Sequence, residues 1–112
     1  MPYVHVSTTK KLDKAQKEAL WLKITEIMPI LPGKTYANTM IHIDDGCFIR
    51  KGDADECCFI DVRVYKSSPE EAKAAFCKAM FEVLEGFLGI PSENHYMNIT
   101  EQDRWASHGD YH

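Results

Sequence analysis

The chain has 112 residues, of which 13 are basic and 17 acidic, so its formal net charge at pH 7 is −4. Hydrophobic residues make up 45% and charged residues 27%, which is typical of one globular domain spanning residues 1–112 and excludes a disordered chain. The acidic balance argues against nucleic acid or an anionic membrane as a partner. No stretch has the ~20 apolar residues of a membrane span and no leader opens the chain, so we expect a cytoplasmic protein.

The first predicted elements are a strand, a helix and a second strand. Valines alternate with polar side chains between residues 2 and 8, as in a half-buried strand. Asp13 offers an N-cap oxygen and Gln16 completes a capping box. The helix that they open is predicted to end near Met28, because two prolines and a glycine follow. Alternation returns in residues 39–44 and predicts the second strand.

The second half is predicted to repeat this order after a connecting segment. Residues 44–56 carry two turn signals around a short apolar piece and are predicted to form a hairpin or a minor strand. The apolar run at 57–65 predicts a third main strand. Ser68 is expected to be the N-cap of the next helix with Pro69 at its first position, and Gly89 is expected to cap its end.

A last main strand is predicted at residues 94–99, followed by a short polar tail that ends at His112. Residues 38–43 and 94–99 occupy matching places in the two halves, at an offset of about 56 residues that indicates a duplication. Right-handed βαβ crossovers place both helices on the same face of the sheet. We therefore predict an α+β fold of two βαβ units, with four strands in one sheet and two helices on one face.

The two faces of the predicted sheet differ in chemistry. Valines and isoleucines should face the helices, at positions 4, 6, 41, 43, 60, 62 and 64. The opposite face mixes aromatic, charged and histidine side chains: Tyr3, His5, Met40, His42, Asp61, Arg63 and Tyr65. Such a face is either a hydrated surface with paired charges or a surface turned inward in a cyclic oligomer.

Neither the cysteines nor the histidines of the sequence predict a metal site. The adjacent Cys57 and Cys58 lie in an apolar run, so we expect reduced, mostly buried thiols. His108 and His112 have i, i+4 spacing but no helical pattern around them. We therefore predict no metal and no cofactor.

Pro2 is the sharpest chemical signal in the chain. Removal of the initiator Met1 would leave the secondary amine of Pro2 at the N-terminus. An α-amino group has a reference pKa of ~7.7–8.0, and desolvation or a nearby cation lowers that value. A proline amine in an apolar pocket at the end of a strand is therefore a candidate general base near neutral pH.

The chain resembles the tautomerase superfamily in four features taken together. These are Pro2 before a strand, the duplicated βαβ unit, Lys34 in the Pro32-Gly33-Lys34 turn, and Tyr96-Met97-Asn98. Within it the chain is most similar to the macrophage migration inhibitory factor group, which includes phenylpyruvate and dopachrome tautomerases. The resemblance covers about residues 2–105, and its motifs are specific only in combination. It implies a MIF-like fold, a homotrimer with an active site at each subunit interface, a small-molecule 2-keto acid as partner, and no cofactor.

The resemblance also implies roles for individual residues. Pro2 would be the base, and Lys34 would hold the substrate carboxylate or the enolate oxygen, where negative charge develops. Tyr96 and Asn98 match a tyrosine-x-asparagine pair that a neighbouring subunit offers to close the pocket, and Tyr65 falls beside the catalytic proline. A solvated turn lysine and a packing tyrosine are the structural alternatives for Lys34 and Tyr96.

Trp105 stands where members of the group often have a glycine-tryptophan-asparagine segment, so it either replaces that aromatic wall or the pocket is more open. The implied function is a cofactor-independent keto–enol tautomerase, an isomerase, of phenylpyruvate-like 2-keto acids. Decarboxylation or hydration by the same site is an alternative. A non-catalytic binding or signalling module on the same scaffold is another.

Overall fold

The structure is a computed structural model that describes residues 2–112, and its main feature is a mixed four-stranded sheet. Initiator Met1, whose removal would free the Pro2 amine, lies outside the described residues. The elements in chain order are β1 (Tyr3–Thr8), α1 (Lys14–Ile27), β2 (Met40–Asp44), β3 (Cys58–Tyr65), α2 (Glu70–Leu88), β4 (His95–Gln102), β5 (Ala106–Ser107) and β6 (Asp110–Tyr111). Short 3₁₀ helices occupy Met28–Ile30, Tyr36–Asn38 and Ser92–Asn94.

The strand order is β2-β1-β3-β4, with β1 parallel to β2, antiparallel to β3, and β3 parallel to β4. Each parallel pair is joined through one of the two long helices, which gives the two βαβ units that the sequence predicts. The predicted α+β architecture is confirmed.

One face of the sheet forms the core together with both helices. The predicted valines and isoleucines of β1 and β3 are at most 1% exposed, and those of β2 are half-buried against them. From α2, the core receives Phe76, Met80 and Leu84, whose i, i+4 spacing places them on one side of the helix. No helix within residues 2–112 is long and apolar enough to cross a lipid bilayer.

The predicted burial of the thiols holds for the adjacent pair at the start of β3. Cys57 and Cys58 are buried, whereas Cys47 and Cys77 are half-buried. Burial raises the pKa of the Cys58 thiol to about 12, because it disfavours the thiolate. Cys58 is therefore a packing residue in the core.

The start of α1 agrees with the sequence. The Asp13 side chain accepts a hydrogen bond from the Gln16 backbone N–H at 2.8 Å, and the Gln16 side chain accepts one from the Asp13 N–H at 2.9 Å. This capping box satisfies two backbone donors that a helix leaves free at its first turn.

The start of α2 differs from the sequence-based expectation. Pro69, not Ser68, occupies the N-cap position, and its ψ of 146° keeps the chain extended there. The Glu101 carboxylate on β4 accepts from the Ser68 backbone N–H at 2.7 Å and from Lys73 Nζ at 3.1 Å. The first of these bonds, followed by the second, lowers the pKa of Glu101. This tie to β4 holds the residues before the helix outside it, so the predicted serine cap is wrong.

The end of α2 agrees with the sequence. Gly89 has a left-handed backbone with φ +70°, and its N–H donates to the Glu85 carbonyl at 3.0 Å. Glycine adopts this conformation without the steric cost of a Cβ, which explains why the helix ends at this residue.

The segment between β2 and β3 contains a turn and no minor strand. Lys51 and Ala54 exchange backbone hydrogen bonds of 3.0 and 2.9 Å around Gly52, whose φ is +59°. Of the two alternatives for residues 44–56, the structure therefore has the hairpin-like turn. Residues 47–49 form no strand within residues 2–112, although the Cys47 N–H donates to the Thr8 carbonyl at the end of β1 at 2.9 Å.

The polar tail is folded, which the sequence did not predict. Strands β5 and β6 form a hairpin, and His108 and Gly109 at its turn have φ values of +55° and +79°. Two consecutive positive φ values are typical of the tight turns that suit two-residue hairpins. Trp105 and His112 exchange backbone hydrogen bonds of 2.9 and 2.8 Å, which close the base of this hairpin.

Candidate functional site

Pro2 lies at the start of β1 and is buried. Its carbonyl accepts a hydrogen bond from the Met40 backbone N–H at 3.0 Å, which extends the parallel pairing of β1 with β2. The backbone position of Pro2 is thus set by the sheet itself, which is a rigid support for a reacting group.

A cleft of about 640 Å³, here called the Pro2 cleft, opens at this end of the sheet. One wall comes from the 3₁₀ segment and the beginning of β2, and the other comes from the base and turn of the tail hairpin. The lining residues are Pro2, Tyr3, Ala37, Asn38, Thr39, Met40, Trp105, Ala106, Ser107 and His108. The cleft has the size of a small-molecule site and joins apolar walls to a few polar groups.

Trp105 lines the Pro2 cleft and gives it an aromatic wall, while its part in binding a substrate stays a prediction. Its ring centroid lies 6.4 Å from that of Tyr65, at the end of β3, with the planes tilted by 42°. Tyr65 also meets His112 edge-on at 5.1 Å. Tyr65 therefore braces the tail hairpin and Trp105, and it is not among the residues that line the cleft.

Lys34 is half-buried in the turn before the 3₁₀ segment, where its N–H donates to the Leu31 carbonyl at 3.1 Å. Among the described residues, Lys34 is not one of those that line the Pro2 cleft. Asn38 ties this turn to the cleft wall, since its amide donates to the Gly33 carbonyl at 3.3 Å and accepts from the Thr35 N–H at 3.0 Å. The predicted lysine thus stands next to the wall and not in it.

Arginines flank the other side of Trp105. A second cleft of about 500 Å³, the Arg104 cleft, shares Tyr3 and Trp105 with the first and also includes Arg63 and Arg104. Arg63 Nη2 is 3.1 Å from the Asp61 carboxylate, so the charge of Arg63 is paired. The Arg104 guanidinium is exposed beside the aromatic wall and could bind a carboxylate.

Tyr96 and Asn98 do not approach Pro2 within one chain. Both point away from the core on β4, where Tyr96 is 58% exposed and the Asn98 amide donates to Thr100 Oγ1 at 2.9 Å. Tyr96 is level with Phe59 on β3, which pairs with Ser7 at the far end of β1. The level of Tyr96 is therefore about 16 Å from Pro2, measured along β1.

The sheet face opposite the core, here called the open face, shows features of both interpretations given above. It holds ion pairs, as a hydrated surface would. It also exposes large apolar side chains, namely Met40 at 69%, Phe59 at 41% and Tyr96 at 58%. An inward-facing role in an oligomer stays a prediction.

Sequence patterns did not identify two groups of cleft residues. Asn38 to Met40 enter the cleft only because β1 and β2 are parallel with Tyr3 opposite Met40, a register that no pattern within one strand reveals. The tail residues from Ala106 to His108 enter because the tail is a hairpin. The His108-Gly109 pair between short polar stretches was the signal for that turn.

No protein-family model and no curated protein matches the chain. Among solved structures, Leishmania major MIF2 is similar with a TM-score of 0.91 at 16% identity, over 100% of this chain and 97% of that one. The macrophage migration inhibitory factor-like protein of Entamoeba histolytica has a TM-score of 0.85 at 18% identity, over 99% of this chain and 98% of that one. Pt0534, in a crystal structure of the protein inactivated by 2-oxo-3-pentynoate, has a TM-score of 0.81 at 18% identity, over 96% and 93%.

These structures agree over nearly the full length of both chains, while the sequences have diverged widely. Similarity at such identities shows the fold. The chain has the macrophage migration inhibitory factor-like tautomerase fold, which confirms the architecture that the resemblance implied.

Proposed function

We propose that this chain is a cofactor-independent keto–enol tautomerase of 2-keto acids such as phenylpyruvate, with the amine of Pro2 as general base. The observation that carries the proposal is the burial of Pro2 beside a cleft with an aromatic wall, on the fold of the tautomerase superfamily. Pt0534, which shares the fold, is inactivated by 2-oxo-3-pentynoate, itself a 2-keto acid.

The reaction needs only one proton to move within the substrate. The Pro2 nitrogen takes a proton from the carbon next to the keto group, and the electrons of that C–H bond form the enol double bond. The keto oxygen becomes the enol oxygen and receives the proton back from the amine. Burial disfavours the charged amine, so more of it is present as free base at neutral pH.

The walls of the Pro2 cleft suit an aryl or other hydrophobic substrate tail. Apolar surface in the cleft, beside the start of β1, comes from Ala37, Met40 and Trp105. The substrate carboxylate needs a cation, and two are near: Lys34 in the adjoining turn and Arg104 beyond Trp105. A cation near the keto group also stabilises the enolate as charge grows on oxygen.

The proposal is tested by the enolisation rate of phenylpyruvate, followed by the absorbance of the enol. The protein used should first be shown by intact mass to lack Met1, since retention makes the Pro2 nitrogen an amide without basicity. We expect a rate that rises with enzyme concentration and saturates with substrate. A protein without Met1 that does not exceed the buffer rate would favour the non-catalytic binding module instead.

The complete site is proposed to form between two copies of the chain in a homotrimer. Tyr96 and Asn98 are exposed and far from the Pro2 of their own chain, so a neighbour would have to bring them to it. Exposed apolar side chains on the open face are consistent with burial between subunits.

Mixing two inactive variants tests this shared site. Pro2→Ala lacks the oriented secondary amine of proline and Tyr96→Ala lacks the contribution of the neighbour, and each homotrimer should be nearly inactive. After equal amounts are unfolded and refolded together, roughly one quarter of the sites should hold both native residues, because each is drawn independently. The recovered activity should therefore approach one quarter of the wild-type value.

The matched control is the same two variants refolded separately and then combined, which should stay inactive. Light scattering should give three times the 12.8 kDa mass of one chain. Full activity of Tyr96→Ala alone, or no recovery in the co-refolded sample, would remove the shared site from the proposal.

A further inference from the structure

Three side chains of the kinds that bind metals meet on the open face, where β1 and β2 lie side by side. His5 and His42 are paired across the parallel strands, and Asp44 follows on the same side of β2. The two imidazole rings stack with centroids 4.1 Å apart and planes 3° from parallel. One donor atom from each of these three residues, the histidine cluster, lies within 4.8 Å of the other two.

The strand geometry explains why they meet. Side chains alternate in direction along a strand, so His42 and Asp44 point the same way, and the parallel register places His5 directly beside His42. Alternation in the sequence places both histidines on this face, whereas the register that pairs them is visible only in the folded sheet.

Both imidazoles direct the same nitrogen at one carboxylate. His5 Nε2 is 2.6 Å from Asp44 Oδ2, and His42 Nε2 is 3.3 Å from Asp44 Oδ1. An ionised carboxylate only accepts hydrogen bonds, so each of these contacts needs a hydrogen on Nε2 or a cation in its place. A divalent ion would satisfy both nitrogens and the carboxylate at once.

The Tyr3 hydroxyl contacts the second ring nitrogen of His42 and can orient this ring as a metal ligand. Tyr3 Oη is 2.8 Å from His42 Nδ1. If the ring donates its Nδ1 hydrogen to that oxygen, Nε2 keeps a lone pair that faces Asp44. Histidines that bind metals commonly make such a bond through their second nitrogen, which fixes the ring and its tautomer.

We propose that His5, His42 and Asp44 bind one divalent transition-metal ion such as Zn²⁺ per chain, on the open face of the sheet. None of the three is among the described residues that line the Pro2 cleft. Two imidazoles and one carboxylate favour Zn²⁺ over Mg²⁺ or Ca²⁺, which prefer oxygen donors. The proposal does not depend on the tautomerase activity.

Coordination requires the two stacked rings to turn about their side-chain bonds, because an imidazole nitrogen binds a metal in the plane of its ring and parallel planes do not meet at one ion. A tetrahedral Zn²⁺ with bonds of about 2.0–2.2 Å holds its donors about 3.4 Å apart. The side chains of His42 and Asp44 are each 47% exposed, so they can turn toward a shared ion without disturbing the core. Three protein ligands leave a further coordination position open to water.

The cluster contains the Asp44 carboxylate, and the adjacent β3 adds one acidic and one basic side chain beside it. The hydrogen bond from His5 lowers the pKa of Asp44, so that carboxylate stays ionised. On the adjacent β3, Asp61 stands opposite His5 and pairs with Arg63, which stands opposite Tyr3.

The test is calorimetric titration of the untagged full chain with ZnCl₂ at neutral pH. Wild type should bind one ion per chain, and His42→Ala should lose this binding. His108→Ala, which removes an exposed histidine of the tail, is the matched control and should bind as wild type does. Tyr3→Phe should weaken binding about tenfold, as loss of a ligand-orienting hydrogen bond does.

A second measurement keeps the test independent of how the variants fold. Zn²⁺ added to the wild-type chain should perturb the ring signals of His5 and His42 in NMR spectra, and spare those of His108 and the buried His95. Undiminished binding by a folded His42→Ala, perturbation confined to the tail histidines, or no binding by wild type would each overturn the proposal.

Discussion

Replacement of Pro2 with alanine should lower kcat/KM for phenylpyruvate enolisation by about 100-fold, with little change in stability. A positioned general base typically contributes about 10²–10⁴-fold to the rate. Alanine keeps an N-terminal amine but loses the ring, which holds the nitrogen in one orientation at the start of β1. The expected loss therefore lies at the lower end of that range.

The backbone of residue 2 should stay in place in this variant. The Pro2 carbonyl accepts the Met40 N–H, and alanine offers the same carbonyl. If the rate falls strongly while the circular dichroism spectrum and thermal midpoint are unchanged, the loss comes from the altered amine and not from a change in folding. Intact mass must confirm that Met1 is absent from both proteins, because a retained methionine would abolish the base in either one.

Pro91→Ala is the matched control. Pro91 is exposed at the end of α2, before the last 3₁₀ segment, and does not line the Pro2 cleft. It should retain the wild-type rate. Equal rates for Pro2→Ala and wild type would show that the amine is not the base, even if the enzyme is active.

The sequence predicts most of the fold because the decisive signals are local. The alternation in β1 and the capping box of Asp13 depend only on neighbours along the chain, and both are confirmed. The N-cap of α2 was predicted at Ser68 and lies at Pro69, because Glu101, distant in sequence, accepts the Ser68 N–H. The tail hairpin was missed because its two strands are very short and its turn contains histidine where asparagine or aspartate is usual.

The candidate site could be predicted less completely than the fold. Pro2 and Trp105 do line one cleft, although no pattern in the sequence measures their proximity. The wall from Ala37 to Met40 depends on the register between β1 and β2, which single-sequence patterns do not fix. The role proposed for Tyr96 and Asn98 is a contact between chains, for which the register within one sheet carries no information.

The fold that positions Pro2 depends on α2, and Phe76→Ala should test this with the largest loss of stability that we expect. Phe76 is 0% exposed and belongs to the core beneath β1 and β3. A buried Phe→Ala replacement typically costs about 3–5 kcal/mol through lost burial and the cavity left behind. The free energy of unfolding of native proteins is about 5–15 kcal/mol, so this loss would remove a large part of the stability of the domain.

Urea denaturation at one fixed protein concentration measures this effect, because the proposed subunit association would make the midpoint depend on concentration. Phe48→Ala is the matched control, since the same atoms are removed from a side chain that is 90% exposed. Its cost should stay below about 1 kcal/mol, as is usual at the surface. Similar midpoints for the two variants would mean that α2 does not stabilise the sheet as described. The placement of Pro2 at the start of β1 would then lack its structural support.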